Sequence, residues 1–135
     1  MNELEEIKKH CDVIEECYEF MLAFAAQGIA DDRESPYGSQ LRELITKAVD
    51  ATSQLAASYS ALAADFKAAD RHKYMGFLDV LKEDAAKALA AMELVLIQAK
   101  ISSQLIDNLN ASLHVRTLLT DVFLLDEIVQ LRDNS

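Results

Sequence analysis

A chain of 135 residues that is 51% hydrophobic and 27% charged, with three glycines and one proline, holds enough apolar surface for one folded domain spanning 1–135. That composition excludes a disordered or linker-like polymer, and the absence of Trp with 7% aromatic content weakens any case for a β-sandwich. Thirteen basic against twenty-three acidic residues give a net charge of −10, which opposes phosphate backbones and anionic lipid, so neither nucleic acid nor a membrane is an expected partner.

The first 34 residues carry ten carboxylates against Lys8, Lys9 and Arg33. Within them Leu4, Ile7, Cys11, Ile14, Tyr18, Met21 and Ala25 recur in steps of three and four, predicting a helix over 2–27. Its acidic start is unlike a signal or transit peptide. Cys11 and Cys17 stand about 9 Å apart along that helix, too far to bridge. Two unpaired thiols point to the cytoplasm.

Gly28 reads as the C-terminal cap, and Ser35-Pro36 as N-cap and first turn of the next helix. The loop Asp31-Asp32-Arg33-Glu34 lacks the alternating oxygens and central Gly of a calcium loop and reads as a solvated acidic turn. The second seam (Leu41, Ile45, Ala48, Thr52, Leu55, Tyr59, Leu62, Phe66, Ala69) predicts a helix over 37–69. A break of phase puts a turn at 70–72, with Asp70 as cap and Arg71-His72-Lys73 facing solvent. A third seam from Tyr74 through Leu78, Leu81, Ala85, Ala88, Met92 and Val95 to Ile106 predicts a helix over 72–106. Val115, Leu118, Val122, Leu125 and Val129 predict a fourth over 112–132. No stretch alternates with the period of a strand, so the expected fold is all-α, an up-down-up-down antiparallel four-helix bundle. Alanines crowd the second and third helices, and the tightest contact is expected between them.

Chemistry is sparse. A di-iron centre needs Glu-x-x-His on two helices, and the residues three before His10, His72 and His114 are Ile7, Ala69 and Ala111. Glu3, Glu6, His10 and Cys17 share one flank of the first helix, leaving Glu6 and His10 as a weak metal pair whose simpler reading is a solvated contact. His10 beside Cys11 points about 100° away around the helix, so an activated thiolate is not expected. No catalytic residue, resident metal or cofactor is expected. Gly28, Gly38 and Gly76 are isolated, so no phosphate-cradling loop forms.

Two segments are too apolar for helices with one wet face: Phe20 through Ala26, and Val122 through Leu125 with Ile128, Val129 and Leu131. Their outward members need a partner, and Phe20, Phe24, Phe123 and Leu124 are expected near the centre of an interface made by the first and fourth helices. Glu16, Glu19, Asp121, Asp126 and Glu127 would form its rim. The function that follows is a non-enzymatic cytoplasmic interaction protein, an adaptor, chaperone-like or regulatory partner of another protein, and a homo-oligomer, most simply a dimer. The alternative is a ligand- or metal-binding bundle with a small cavity among Tyr18, Tyr59, Tyr74 and Met92.

Overall fold

The computed structural model describes the backbone of residues 3–133 and the side chains of residues 3–131. The described residues form five α-helices and no strand: α1 (Glu3–Ala25), α2 (Gly38–Ala63), α3 (Ala68–Leu96), α4 (Ser103–Ala111) and α5 (His114–Asp133), with a short 3-10 turn at Asp32–Glu34. The expected start of the first helix at residue 2 lies outside the described residues.

Each boundary has a local cause. Glu3, Glu5 and Glu6 fill the first turn of α1, where carboxylates complement the free N–H groups. Gly28 takes φ +66°, the left-handed turn expected of it after α1. The Ser35 hydroxyl accepts from the Tyr37 N–H at 3.1 Å, but Ser35-Pro36 does not cap α2 as expected: Tyr37 holds the N-cap position without a side-chain bond, and the helix opens at Gly38.

The second helix departs from expectation by stopping at Ala63, six residues early, and α3 begins at Ala68 rather than 72. Arg71 explains this stop: its Nη2 donates to the Ala64 carbonyl (3.2 Å) and the Phe66 carbonyl (2.8 Å), satisfying the end of α2. Arg71 therefore does more than face solvent. Asp70 is not the cap, because Lys67 holds that position without a side-chain bond.

The expected helix over 72–106 breaks at Leu96, and α4 restarts at Ser103 with Ser102 Oγ accepting the Leu105 N–H at 3.0 Å. Between α4 and α5 stand Ser112 and Leu113, the latter at φ +66°.

One cluster of buried side chains runs through all five helices, with Ile14, Phe24, Ile45, Leu55, Leu81, Met92, Ile106 and Leu118 among its members. The most extensive helix contact is α1 against α2, followed by α2 against α3. The alanines of α2 and α3 divide between the two faces. Ala48, Ala51, Ala63, Ala85 and Ala88 are buried, but Ala57, Ala61, Ala64, Ala68, Ala69, Ala86 and Ala90 are exposed and serve helix propensity instead of close approach. α4 packs on α1, and α5 packs on α3 and more lightly on α1. Every member of the expected seam of α5 (Val115, Leu118, Val122, Leu125, Val129) is buried. No helix among the described residues is long and apolar enough to cross a membrane.

Candidate functional site

The expected interface residues separate. Phe24 is 1% exposed and belongs to the core, a correction that follows from helical phase: Ile14, Cys17, Met21 and Phe24 step by three and four along the inner face of α1. Phe20 is half-buried against that core. It lies seven residues beyond Val13, which lines a cleft with Asp50, Ala51 and Gln54 of α2, so Phe20 sits on the flank toward α2 and away from α5. Phe123 and Leu124, by contrast, are 50% and 49% exposed on α5. Of the expected rim, Glu16, Glu19 and Glu127 are exposed while Asp121 and Asp126 are half-buried.

Around Leu124 the surface folds into a groove of about 360 Å³ between α3 and α5. Tyr74 and Phe77 form one wall, Leu124, Leu125 and Ile128 the other, and Asp70 and Lys73 stand at one end. Val80, three residues beyond Phe77 on α3, and Leu131, seven beyond Leu124 on α5, are also exposed. Tyr74 is held in place by Phe66, whose ring centroid lies 4.0 Å away at a 45° tilt. α5 thus carries more apolar surface than its own core requires, and α3 supplies the opposite wall.

The polar centre of the molecule lies elsewhere, in the turn expected to be solvated. Asp32 is buried: Oδ2 accepts from Arg42 Nε at 2.6 Å and Oδ1 accepts from the Ile101 N–H at 2.7 Å, while the Asp32 N–H donates to the Ile101 carbonyl at 2.9 Å. Arg42 also donates to the Leu96 carbonyl (3.2 Å) and the Gln98 carbonyl (2.9 Å), closing the C-terminus of α3, which has no cation in its own last turn. Burial alone pushes the Asp32 carboxyl up; the hydrogen bonds from Arg42 and Ile101 and the charge of Arg42 outweigh it and hold the group below the usual carboxylate range. Ser103 completes the tie, its hydroxyl donating to the Phe24 carbonyl at 2.6 Å and accepting the Ile29 N–H at 2.8 Å. These contacts join segments some 70 residues apart and make this end of the molecule a scaffold. The acidic sequence around residue 32 gave no sign of it.

Glu6 and His10 line the cleft of about 530 Å³ between α1 and α2 with Lys9, Lys47 and Asp50, two cations that oppose a metal ion. Cys17, on the same flank by spacing, is buried in the core, and no group of three or more His, Cys, Asp or Glu among the described residues is arranged to hold a metal. Burial pushes the Cys11 thiol up to about 12, with Asp126 adding to the effect and the Tyr59 hydrogen bond opposing it; burial, helped by Glu16, does the same to Cys17. Both are therefore protonated near neutral pH and behave as small apolar side chains. The expected tyrosine cavity is not assembled. Tyr74 and Met92 are eighteen residues apart on α3, about 27 Å at 1.5 Å per residue. Tyr59 and Met92 are buried in the core, and the Tyr59 hydroxyl points to the Val122 carbonyl at 3.5 Å.

Compared with known proteins, the chain matches no family model, no curated protein and no solved structure.

Proposed function

We propose that this protein is a non-enzymatic interaction module that receives an amphipathic helix of another chain in the groove between α3 and α5, and that its simplest assembly is a homodimer built on the same surface. The observation that carries the reading is the apolar lining of the groove: Tyr74, Phe77, Leu124, Leu125 and Ile128 face one channel. An apolar channel flanked by two helices suits the i, i+3, i+4, i+7 face of a third. Large side chains left half in water gain roughly 1.5–3 kcal/mol each on burial, and a few suffice for a micromolar complex near −8 kcal/mol once its entropic cost is met. In this proposal α4 and α5 together stand for the fourth leg of an up-down-up-down bundle, broken at Ser112–Leu113, and the protein works in the cytoplasm.

Sedimentation velocity at tens of micromolar tests the homodimer. The wild type is expected to sediment as a dimer, and Leu124→Glu and Ile128→Glu as folded, still helical monomers. A wild-type monomer at that concentration refutes self-association through the groove.

A further inference from the structure

α4 and α5 meet at a corner that local sequence does not encode. Beyond Gly76 the chain has neither glycine nor proline, yet Leu113 takes φ +66°, the one non-glycine residue with a left-handed backbone among the described residues. Gly28 supplies the same angle after α1 at no steric cost, whereas a residue with a Cβ is strained in it. A second cost lies at the same corner. Asn110, near the end of α4, has both polar side-chain atoms closed off from solvent with no hydrogen-bond partner.

Leu113 alone separates the two helices. Ser112 already has helical angles (φ −66°, ψ −17°), and its N–H donates to the Asn108 carbonyl at 3.1 Å, the bond that would continue α4. On the far side the Thr117 N–H donates to the Leu113 carbonyl at 2.8 Å, the same i to i−4 bond at the start of α5. Turning Leu113 to right-handed angles therefore fuses α4 and α5 into one helix over 103–133, about 46 Å long. The N–H groups that open α5 would then find the carbonyls that end α4. Such a rod cannot pack both of its halves on one core. Leu109 and Val115, both buried, stand six residues apart and would face about 120° away from each other on a straight helix. α4 can stay on α1, but the buried side of α5 then needs another core.

We infer that Ser112–Leu113 is a hinge at which two copies of this chain exchange α5, each seating its own against α3 and α1 of the other. The exchange keeps every contact of Val115, Leu118, Val122, Leu125 and Val129 with a core and removes two strained corners per dimer. Each left-handed residue relieved is worth about tenfold, so the pair favours the dimer about a hundredfold. Against this stands the effective concentration, of about millimolar order, that ties α5 to its own core. Chains that fold dilute stay closed, because α5 must leave the core before it can exchange; chains that fold together near that concentration exchange. The inference does not rest on what the groove receives. In the exchanged dimer each groove takes one wall from each copy.

Size-exclusion chromatography with light scattering tests this on the Leu124→Glu chain, whose groove is blocked, after unfolding in urea and refolding at about 0.5 mM. A dimer is expected that survives dilution to about 5 μM for hours, while the same chain refolded at about 5 μM stays a monomer. In that background Leu113→Gly frees the left-handed angle and penalises the straight helix, so it should weaken the exchanged dimer at least about a hundredfold and leave monomers. Leu113→Ala keeps the strain and favours the helix, so its dimer should persist. That contrast also separates the hinge from the exposed Leu113 side chain, whose loss would weaken an ordinary contact equally in both variants. Monomers alone from the Leu124→Glu chain refolded at about 0.5 mM, or equal dimer yields from Leu113→Gly and Leu113→Ala, would overturn the exchange and leave the groove to its own sedimentation test.

Discussion

Replacing Arg42 by Ala strands one buried carboxylate and removes the donor to three carbonyls in a single step. Asp32, whose side chain is 2% exposed, would keep the Ile101 N–H but lose its countercharge and the 2.6 Å bond from Nε. The carbonyls of Leu96, Gln98 and Ala99 would lose the guanidinium donors that close α3. Removing one partner of a buried pair costs about 3–5 kcal/mol. Arg42 itself is 31% exposed and partly hydrated already, which places the expected loss near the lower bound, about 3 kcal/mol. For a chain of this size that is a fall in Tm of about 10 °C. Asp32→Asn keeps the shape and an acceptor for Ile101, so it should cost less, about 1 kcal/mol. The Asp32 carboxyl is held low, so the pair stabilises the fold above about pH 4 and its contribution disappears as pH falls below that. Urea and thermal melts followed by circular dichroism measure both variants, and amide exchange at Ile101 and Ser103 reports whether the 97–102 segment has come loose. An Arg42→Ala loss below about 1 kcal/mol, with protection at Ile101 intact, would show that the loop is held by something other than this pair.

Four further outcomes are expected. Gly38→Ala places a Cβ against the Asp32 backbone carbonyl, a collision with main chain that should cost at least about 1–3 kcal/mol in a urea melt; a neutral result would mean the 3-10 turn can shift. Phe24→Ala should lose about 3–5 kcal/mol and Phe123→Ala less than about 0.5, and equal losses would contradict their burial. Ala63→Leu should lower Tm where Ala57→Leu does not, because the first is buried and the second exposed. Both cysteines, with thiols pushed up to about 12, should resist alkylation of the native protein near pH 8 and react once it is unfolded in urea, Cys17 the more slowly; fast native labelling of Cys17 would contradict its burial, since Cys11 is only half-buried.

The parts of the fold that could be read in the sequence are those set by neighbours three and four residues away. α5 is the clearest case, since its regular spacing from Val115 to Val129 needs no distant information to fix its inner face. The same rule misled at the end of α3. Ala99, Ser102 and Ile106 continue the spacing of that helix, with no Gly or Pro to interrupt it. The break is imposed by Asp32 and Arg42, which bind the 96–101 backbone across separations of 54 to 69 residues. Ser102 was the local clue, a capping hydroxyl three residues before Leu105.

At the site, excess hydrophobicity located Phe123 and Leu124 correctly on the surface. It failed for Phe24 because a run of seven apolar residues conceals which of them turn inward. The opposite wall, Tyr74 and Phe77, is not legible in the spacing, since only the packing of α5 on α3 shows that they border open space.

A photo-crosslinking side chain placed at position 124 in the native host, with the same group at the exposed position 37 as reference, tests the central claim most directly. The groove reading expects one discrete adduct, a second copy of this chain or a partner helix, from position 124. That adduct should vanish in an Ile128→Glu background and be absent from position 37. Equal yields from both positions, or an adduct at 124 that survives Ile128→Glu, would contradict a docking site between α3 and α5.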